Sequence, residues 1–134
     1  EEIKVALANA IAASTSTKKG EGKGRDSVTG LPRSVEVTEF EVNEAIQPVI
    51  KAMVGAIRET FEMTPPELAS DIIDKGIVLS GGTTLLRNLD KYITRETGVP
   101  AYIAEDPLYC VVRGTGVALE NLELYKKSIN RNEY

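Results

Sequence analysis

The chain has 134 residues with a net charge of −4, 42% hydrophobic and 27% charged side chains, one cysteine and no histidine. That length fits one domain or two small subdomains of ordinary globular composition. The acidic balance argues against a nucleic-acid surface, no apolar run approaches the roughly 18 residues of a transmembrane segment, and the lack of histidine excludes the common triads and histidine-bearing zinc sites.

Glu1-Glu2-Ile3-Lys4 is a charged start with no apolar core and cleavage site behind it, so no signal peptide is expected. A helix is predicted over 1–13, where Ile3, Leu7, Ala10 and Ile11 recur at helical spacing. Residues 14–24 are polar and glycine-rich and read as a mobile loop. Residues 25–38 read as a hairpin, with Thr29-Gly30 at the turn, Val28 on the first arm and Val35 and Val37 on the second. Thr38-Glu39-Phe40-Glu41 is a capping box. The helix behind it is predicted to run to residue 62 with a wide apolar stripe through Val42, Ile46, Val49, Ile50, Met53, Val54, Ile57 and Phe61. Pro48 is expected to kink or split that helix.

Thr64 is expected to cap a short helix opened by Pro65 and Pro66 and ended by Gly76. A strand over 77–80, a helix over 84–97 closed by Gly98, and a strand over 101–104 follow. Asp106 is expected to cap a helix opened by Pro107, and the tail from 121 adds a further helical turn or two. The order helix–strand–helix–strand–helix predicts an α/β fold. Two strands alone make a marginal sheet, so partner strands are expected outside this chain. The single Cys110 cannot form an internal disulfide, which suits a reducing cytoplasm, and it is expected as a buried structural thiol.

The stretch from Gly76 to Asp90 carries the strongest functional signal. An apolar strand stops at Gly81-Gly82, and a helical pattern with Leu85, Leu86, Leu89, Tyr92 and Ile93 on one face begins at once. Glycine has no β-carbon to block a flat ligand, and the free N–H groups of a helix start point at whatever sits there. A nucleotide suits such a junction, and so does a plain tight turn. Glu1 and Lys4 stand one helical turn apart; on their own they read as a surface ion pair worth about 0.3 kcal/mol. Asp71, Asp74, Glu105 and Asp106 are not spaced toward one point and read as caps and surface charges. Gly20-x-Gly22-x-Gly24 has no strand before it and no helix behind it, so it is not a dinucleotide fingerprint.

Residues 63–120 resemble the C-terminal part of the MreB family, the rod-shape-determining bacterial actins. The blocks that carry the likeness are Thr64-Pro65-Pro66-Glu67-Leu68, Asp71-Ile72-Ile73-Asp74-Lys75-Gly76, Leu79-Ser80-Gly81-Gly82, Glu96-Thr97-Gly98-Val99-Pro100, Ala104-Glu105-Asp106-Pro107-Leu108 and Gly114-Thr115-Gly116. Upstream, Gly24-Arg25-Asp26 and Thr29-Gly30-Leu31-Pro32 look like the family's hairpin.

The resemblance implies a partial actin-like (ribonuclease H-like) ATPase fold, a fragment of its second lobe. Residues 1–64 would be the small outer subdomain and 65–134 the C-terminal part of the larger inner one. It implies that Glu1, Glu2, Ile3 and Lys4, as a Glu-x-x-Lys helix, and Gly81, Gly82, Thr83 and Thr84 form the adenosine side of an ATP/ADP site. The family usually has a third glycine at Thr83 and a glycine near Ala8. The family's nucleotide is Mg-bound in the intact protein and is expected to bind this chain weakly or not at all. The two glycine-rich phosphate hairpins, the metal-coordinating aspartate and the water-activating glutamate belong to segments absent here, so hydrolysis by this chain is not expected. In the intact protein the resemblance implies self-association into ATP-dependent filaments, cytoplasmic and membrane-associated, that organise the cell-wall synthesis machinery. Two other readings stay open: another actin/heat-shock-type ATPase, and a nucleotide-independent self-associating interaction module.

Overall fold

The structure, a computed structural model, describes residues 2–11 and 16–129, and of 127–129 the backbone only. Its elements in chain order are α1 (Glu2–Leu7), β1 (Lys19–Arg25), β2 (Pro32–Thr38), α2 (Glu39–Glu62), α3 (Pro66–Lys75), β3 (Ile77–Leu79), a 3-10 turn (Gly82–Leu85), α4 (Leu89–Thr97), β4 (Ala101–Ile103), α5 (Cys110–Glu120) and α6 (Leu122–Ile129).

The first helix is shorter than its apolar spacing predicts. It ends at Leu7, because residues 8–10 are drawn out to run beside Arg87, with Asn9 and Arg87 forming a parallel bridge. The glycine-rich segment is not a loop beyond residue 18. Lys19–Arg25 is the first arm of the hairpin, antiparallel to β2 with Lys19 opposite Thr38 and Arg25 opposite Pro32. Gly20 and Gly22 face α1. A β-carbon on Gly22 would lie 2.9 Å from Ile3 Cδ1, and one on Gly20 3.1 Å from Leu7 Cδ1. The glycines, poor strand formers alone, make room for a helix on the strand. Val28, expected on the first arm, sits in the turn instead, where Asp26 Oδ1 accepts from the amides of Val28 and Thr29, both at 2.9 Å. Gly30 holds φ +72° in that turn, as the sequence anticipates.

The capping box forms: the Glu41 amide donates to Thr38 Oγ1 at 3.2 Å, and Glu41 Oε2 accepts from the Thr38 amide at 2.8 Å. Pro48 does not split α2, which runs unbroken to Glu62; the proline stands on the exposed side. The stripe of α2 is narrower than its apolar pattern suggests. Ile50 and Val54 are buried and Ile46, Met53 and Ile57 pack against them, but Val49 is 64% exposed. Thr64 does not cap α3. Its hydroxyl donates back to Thr60 O at 2.7 Å, and Pro65 takes the cap position.

β3 and β4 pair in parallel, Ile77 opposite Ala101 and Leu79 opposite Ile103, with α4 as the crossover. The helix predicted over 84–97 starts late. A 3-10 turn fills 82–85, Asn88 adopts φ +60°, and α4 proper runs from Leu89 to the left-handed Gly98. Asp106 does not cap α5; its carboxylate pairs with Arg113 Nη2 at 2.7 Å. Cys110 opens α5 half-exposed, not buried, its thiol 3.7 Å from the carbonyls of Glu105 and Asp106. The core joins Ala10, Ile50, Val54, Leu89, Tyr92, Ile93 and Ala101, so it is built from α2, α4, β4 and the extended stretch after α1. Helices α3 and α5 bury no residue.

Candidate functional site

The strand–glycine junction is built as a fixed turn. Gly81 holds φ +90° and ψ 171°, a conformation essentially reserved for glycine. Its amide donates to Pro107 O at 2.8 Å, which ties the turn to the segment leading into α5. Thr84 is buried beneath the turn, and its hydroxyl donates to Gly81 O at 2.7 Å. No β-carbon covers Gly82; one placed there would stand 3.3 Å from Leu108 Cδ2.

This turn, α1 and α2 enclose a cavity of about 660 Å³, within the roughly 300–1,000 Å³ range of small-molecule sites. Lys4, Val5 and Ala8 form one wall, Gly82, Thr83, Leu85 and Leu86 the facing one, and Ile46, Val49, Ile50 and Met53 the floor. The walls are largely apolar, with Lys4 and Thr83 as the polar side chains. That composition suits a flat, weakly polar ring system held by few directional bonds. A second cleft of about 620 Å³ lies between α2 and α4, but its arginines are already engaged, Arg58 and Arg95 both pairing with Glu96.

Of the residues singled out from the sequence, Lys4, Gly82 and Thr83 therefore meet at one cavity. Glu2 is exposed on α1 outside it, and Ile3 turns toward Gly22 of the hairpin. Gly81 and Thr84 shape the turn without lining the cavity. Glu1 lies outside the described residues. Ala8, where the resembling family commonly has glycine, presents its methyl at the wall. Among the described residues no three acidic or cysteine side chains come together as a metal site.

The sequence reading missed a polar cluster behind the cavity. Glu39, read only as part of a capping box, is 4% exposed. Its carboxylate accepts from the Ser16 hydroxyl, from Asn9 Nδ2 at 3.1 Å and from Arg87 Nη2 at 2.9 Å. The Ser16 and Asn9 hydrogen bonds, with help from the Arg87 and Lys18 charges, hold the Glu39 carboxyl below the usual carboxylate range despite its burial. Asn43 Nδ2 donates to the Asn9 carbonyl at 2.7 Å, and Asn88 Nδ2 to Asn9 Oδ1 at 2.8 Å. The only signal in the sequence was Arg87-Asn88, a polar pair interrupting the Leu85-Leu86-Leu89 pattern.

The sequence profile of the family described as MreB/Mbl protein matches residues 1–127. The chain is 42% identical over 127 residues to the cell shape-determining protein Mbl of Bacillus cereus, covering 95% of this chain and 38% of that one. It is 47% identical over 105 residues to the cell shape-determining protein MreB of Escherichia coli, covering 78% and 30%. Among solved structures, MreB5 of Spiroplasma citri bound to ADP matches with a TM-score of 0.83 and 31% identity, over 98% of this chain and 39% of that one. The AMPPNP-bound MreB5 of the same organism gives 0.84 and 30%, over 95% and 38%. The mixed helix-and-sheet architecture is thus part of an actin-like fold, and the chain spans less than two fifths of the length of each of these relatives.

Proposed function

This chain belongs to the MreB/Mbl family of cell shape-determining proteins, and we propose that it supplies the adenosine side of a nucleotide cleft in a longer protein. The observation that carries this reading is the cavity that Lys4 shares with Gly82 and Thr83. The residues fit the group. Apolar floor and walls suit a purine, the Lys4 stem can cover an edge of it, and the bare backbone at Gly82 allows close approach. ADP and AMPPNP are the ligands in the matched Spiroplasma citri structures, which supports a nucleotide over other flat ligands. A bound ATP would supply the phosphate chain and its Mg2+; the task proposed for this chain is to bind and orient the nucleoside.

Residues 1–64 serve in this reading as the small outer subdomain of the second lobe, and 65–134 as the C-terminal part of the inner one. The longer protein assembles into ATP-dependent filaments on the cytoplasmic side of the membrane and directs cell-wall synthesis, with this chain giving part of the filament contact surface. No helix among the described residues is long and apolar enough to cross a membrane.

Isothermal titration with ADP tests the site, using the wild-type chain beside Gly82→Arg. A weak saturable heat that the variant loses, with an unchanged melting temperature, is the expected result. Equal heats in both chains would remove the turn from the site.

A further inference from the structure

Arg87 joins the two walls of the cavity without lining it. Its Nε donates to the carbonyl of Ala8 at 3.1 Å, and its Nη2 to those of Leu7 at 3.0 Å and Ala6 at 3.3 Å. These carbonyls lie at the C-terminal end of α1, where a helix leaves acceptors without intrahelical partners. A cation suits that end electrostatically. The same Nη2 donates to the buried Glu39 carboxylate at 2.9 Å, and the carbonyl of Arg87 accepts from the Ala10 amide at 2.8 Å. Arg87 directly follows Leu86, which lines one wall, while Ala8 and Lys4 line the other. The side chain therefore clamps the wall made by α1 to the wall made by the glycine turn.

We propose that Arg87 is a positioning residue for the nucleoside cleft, setting how far α1 and Lys4 stand from Gly82 and Thr83. The inference rests on the adenosine reading above for its ligand, though not for its geometry. The guanidinium is specifically required. Its Nε and Nη2 together reach three main-chain carbonyls and a carboxylate, with an Nη2 hydrogen shared between acceptors, whereas the single nitrogen of a lysine ammonium is a compact point charge without that planar reach. Glu39 is the counter-anchor, held in turn by Asn9.

The test compares the wild-type chain with Arg87→Lys, with the double variant Arg87→Met/Glu39→Gln, and with Gly82→Arg. The double variant removes both charges, so no buried carboxylate is left unpaired. Three quantities are read: ADP affinity by titration, cooperative unfolding by urea, and amide hydrogen exchange at Ala8 and Ala10 with Tyr92 and Ile93 of α4 as internal references. Loosening a supporting contact of this kind is expected to weaken ADP about tenfold in the double variant, with Arg87→Lys in between. Exchange at Ala8 and Ala10 should quicken in the double variant while the α4 amides hold. Gly82→Arg should lose ADP but keep wild-type exchange on α1. Wild-type affinity in the double variant, or in Arg87→Lys, would overturn the proposal. If the wild-type chain itself gives no heat with ADP, the adenosine reading fails and the clamp is judged on exchange alone. Unchanged protection at Ala8 and Ala10 would then overturn it.

Discussion

The ring of Tyr102 lies so close over Gly76 that a β-carbon there would meet Tyr102 Cε2 at 2.6 Å, and Pro100 O at the same distance. Gly76 also holds φ +78°, at the point where α3 ends and β3 begins. Its amide donates to Ile72 O at 2.8 Å, and the Ile77 amide donates to Pro100 O, also at 2.8 Å. Backbone, ring and carbonyl all converge on the missing side chain.

Gly76→Ala should therefore be costly. A residue with a β-carbon in this glycine-only region (φ +78°, ψ −173°) costs about 1–3 kcal/mol, and displacing the Pro100 carbonyl and the tyrosine ring adds about 1–3 kcal/mol by analogy with overpacked cores. Urea unfolding of the variant is expected to show a lower midpoint with a similar slope. A midpoint equal to wild type would mean that the β3–β4 pair yields freely and contributes little to the fold.

Which features the sequence disclosed follows from how local their causes are. Thr38 with Glu41, Gly98 and Gly30 were legible because cap and turn chemistry is settled within four residues. The arm Lys19–Arg25 was not, because Gly20 and Gly22 look like loop residues until Ile3 and Leu7 are laid over them. The late start of α4 was hidden for the same reason: the bridge between Asn9 and Arg87 joins residues far apart in sequence. At the cavity, the approach of Lys4 to the glycine turn was suggested only by family resemblance. The Glu39–Arg87 pair behind it left no more than the polar break at Arg87-Asn88, since each residue alone reads as a surface charge. Apolar spacing also overstated the stripe of α2, because periodicity does not reveal how much of a face will be covered.

Glu39 makes stability depend on pH in a defined direction. Hydrogen bonds from Ser16 and Asn9, the largest causes, and the Arg87 and Lys18 charges lower its folded pKa below the ordinary value of 4.5. The stabilising contribution is thus fully present above that ordinary value and is lost as pH falls through the lower folded one. Glu39→Gln should flatten this acid limb and cost about 1–3 kcal/mol at neutral pH, since Arg87 loses its charged partner. Urea midpoints collected from pH 7 down to pH 3 give the comparison. Parallel curves for the two chains would show that Glu39 is not the group responsible.

Neighbouring threonines in the turn should separate binding from folding. Thr84 is buried with its hydroxyl bonded to Gly81 O, whereas Thr83 is exposed on the cavity wall. Thr84→Val is expected to lower stability by about 1 kcal/mol through the lost hydrogen bond. Thr83→Gly should alter ADP affinity with a smaller effect on unfolding, because an exposed turn side chain has little packing to lose. Melting curves and ADP titrations of both variants would reveal the split; a Thr83→Gly chain that melts far lower and binds ADP unchanged contradicts it.

Outside its core, this chain carries an apolar surface that a free-standing domain of its size would cover. Val78 in β3 is 68% exposed and Val111 in α5 is 76% exposed, with Tyr102, Val112 and Leu119 also open. Among the described residues the β3–β4 pair has only two strands, so each keeps an unpaired edge. Open edges beside apolar side chains are templates for pairing with another chain. The chain studied alone is therefore expected to self-associate with rising concentration, whether or not ADP is present. Sedimentation velocity over a range of concentrations should show dimers or larger species, and Val78→Lys with Val111→Glu should shift the population toward monomer. Charges at those positions act on association without touching the core built around Ile50, Val54, Leu89 and Ile93. A wild-type chain that stays monomeric throughout would show that this surface is too dispersed to drive pairing. A dimer that survives both substitutions would point instead to the hairpin or the α2 face.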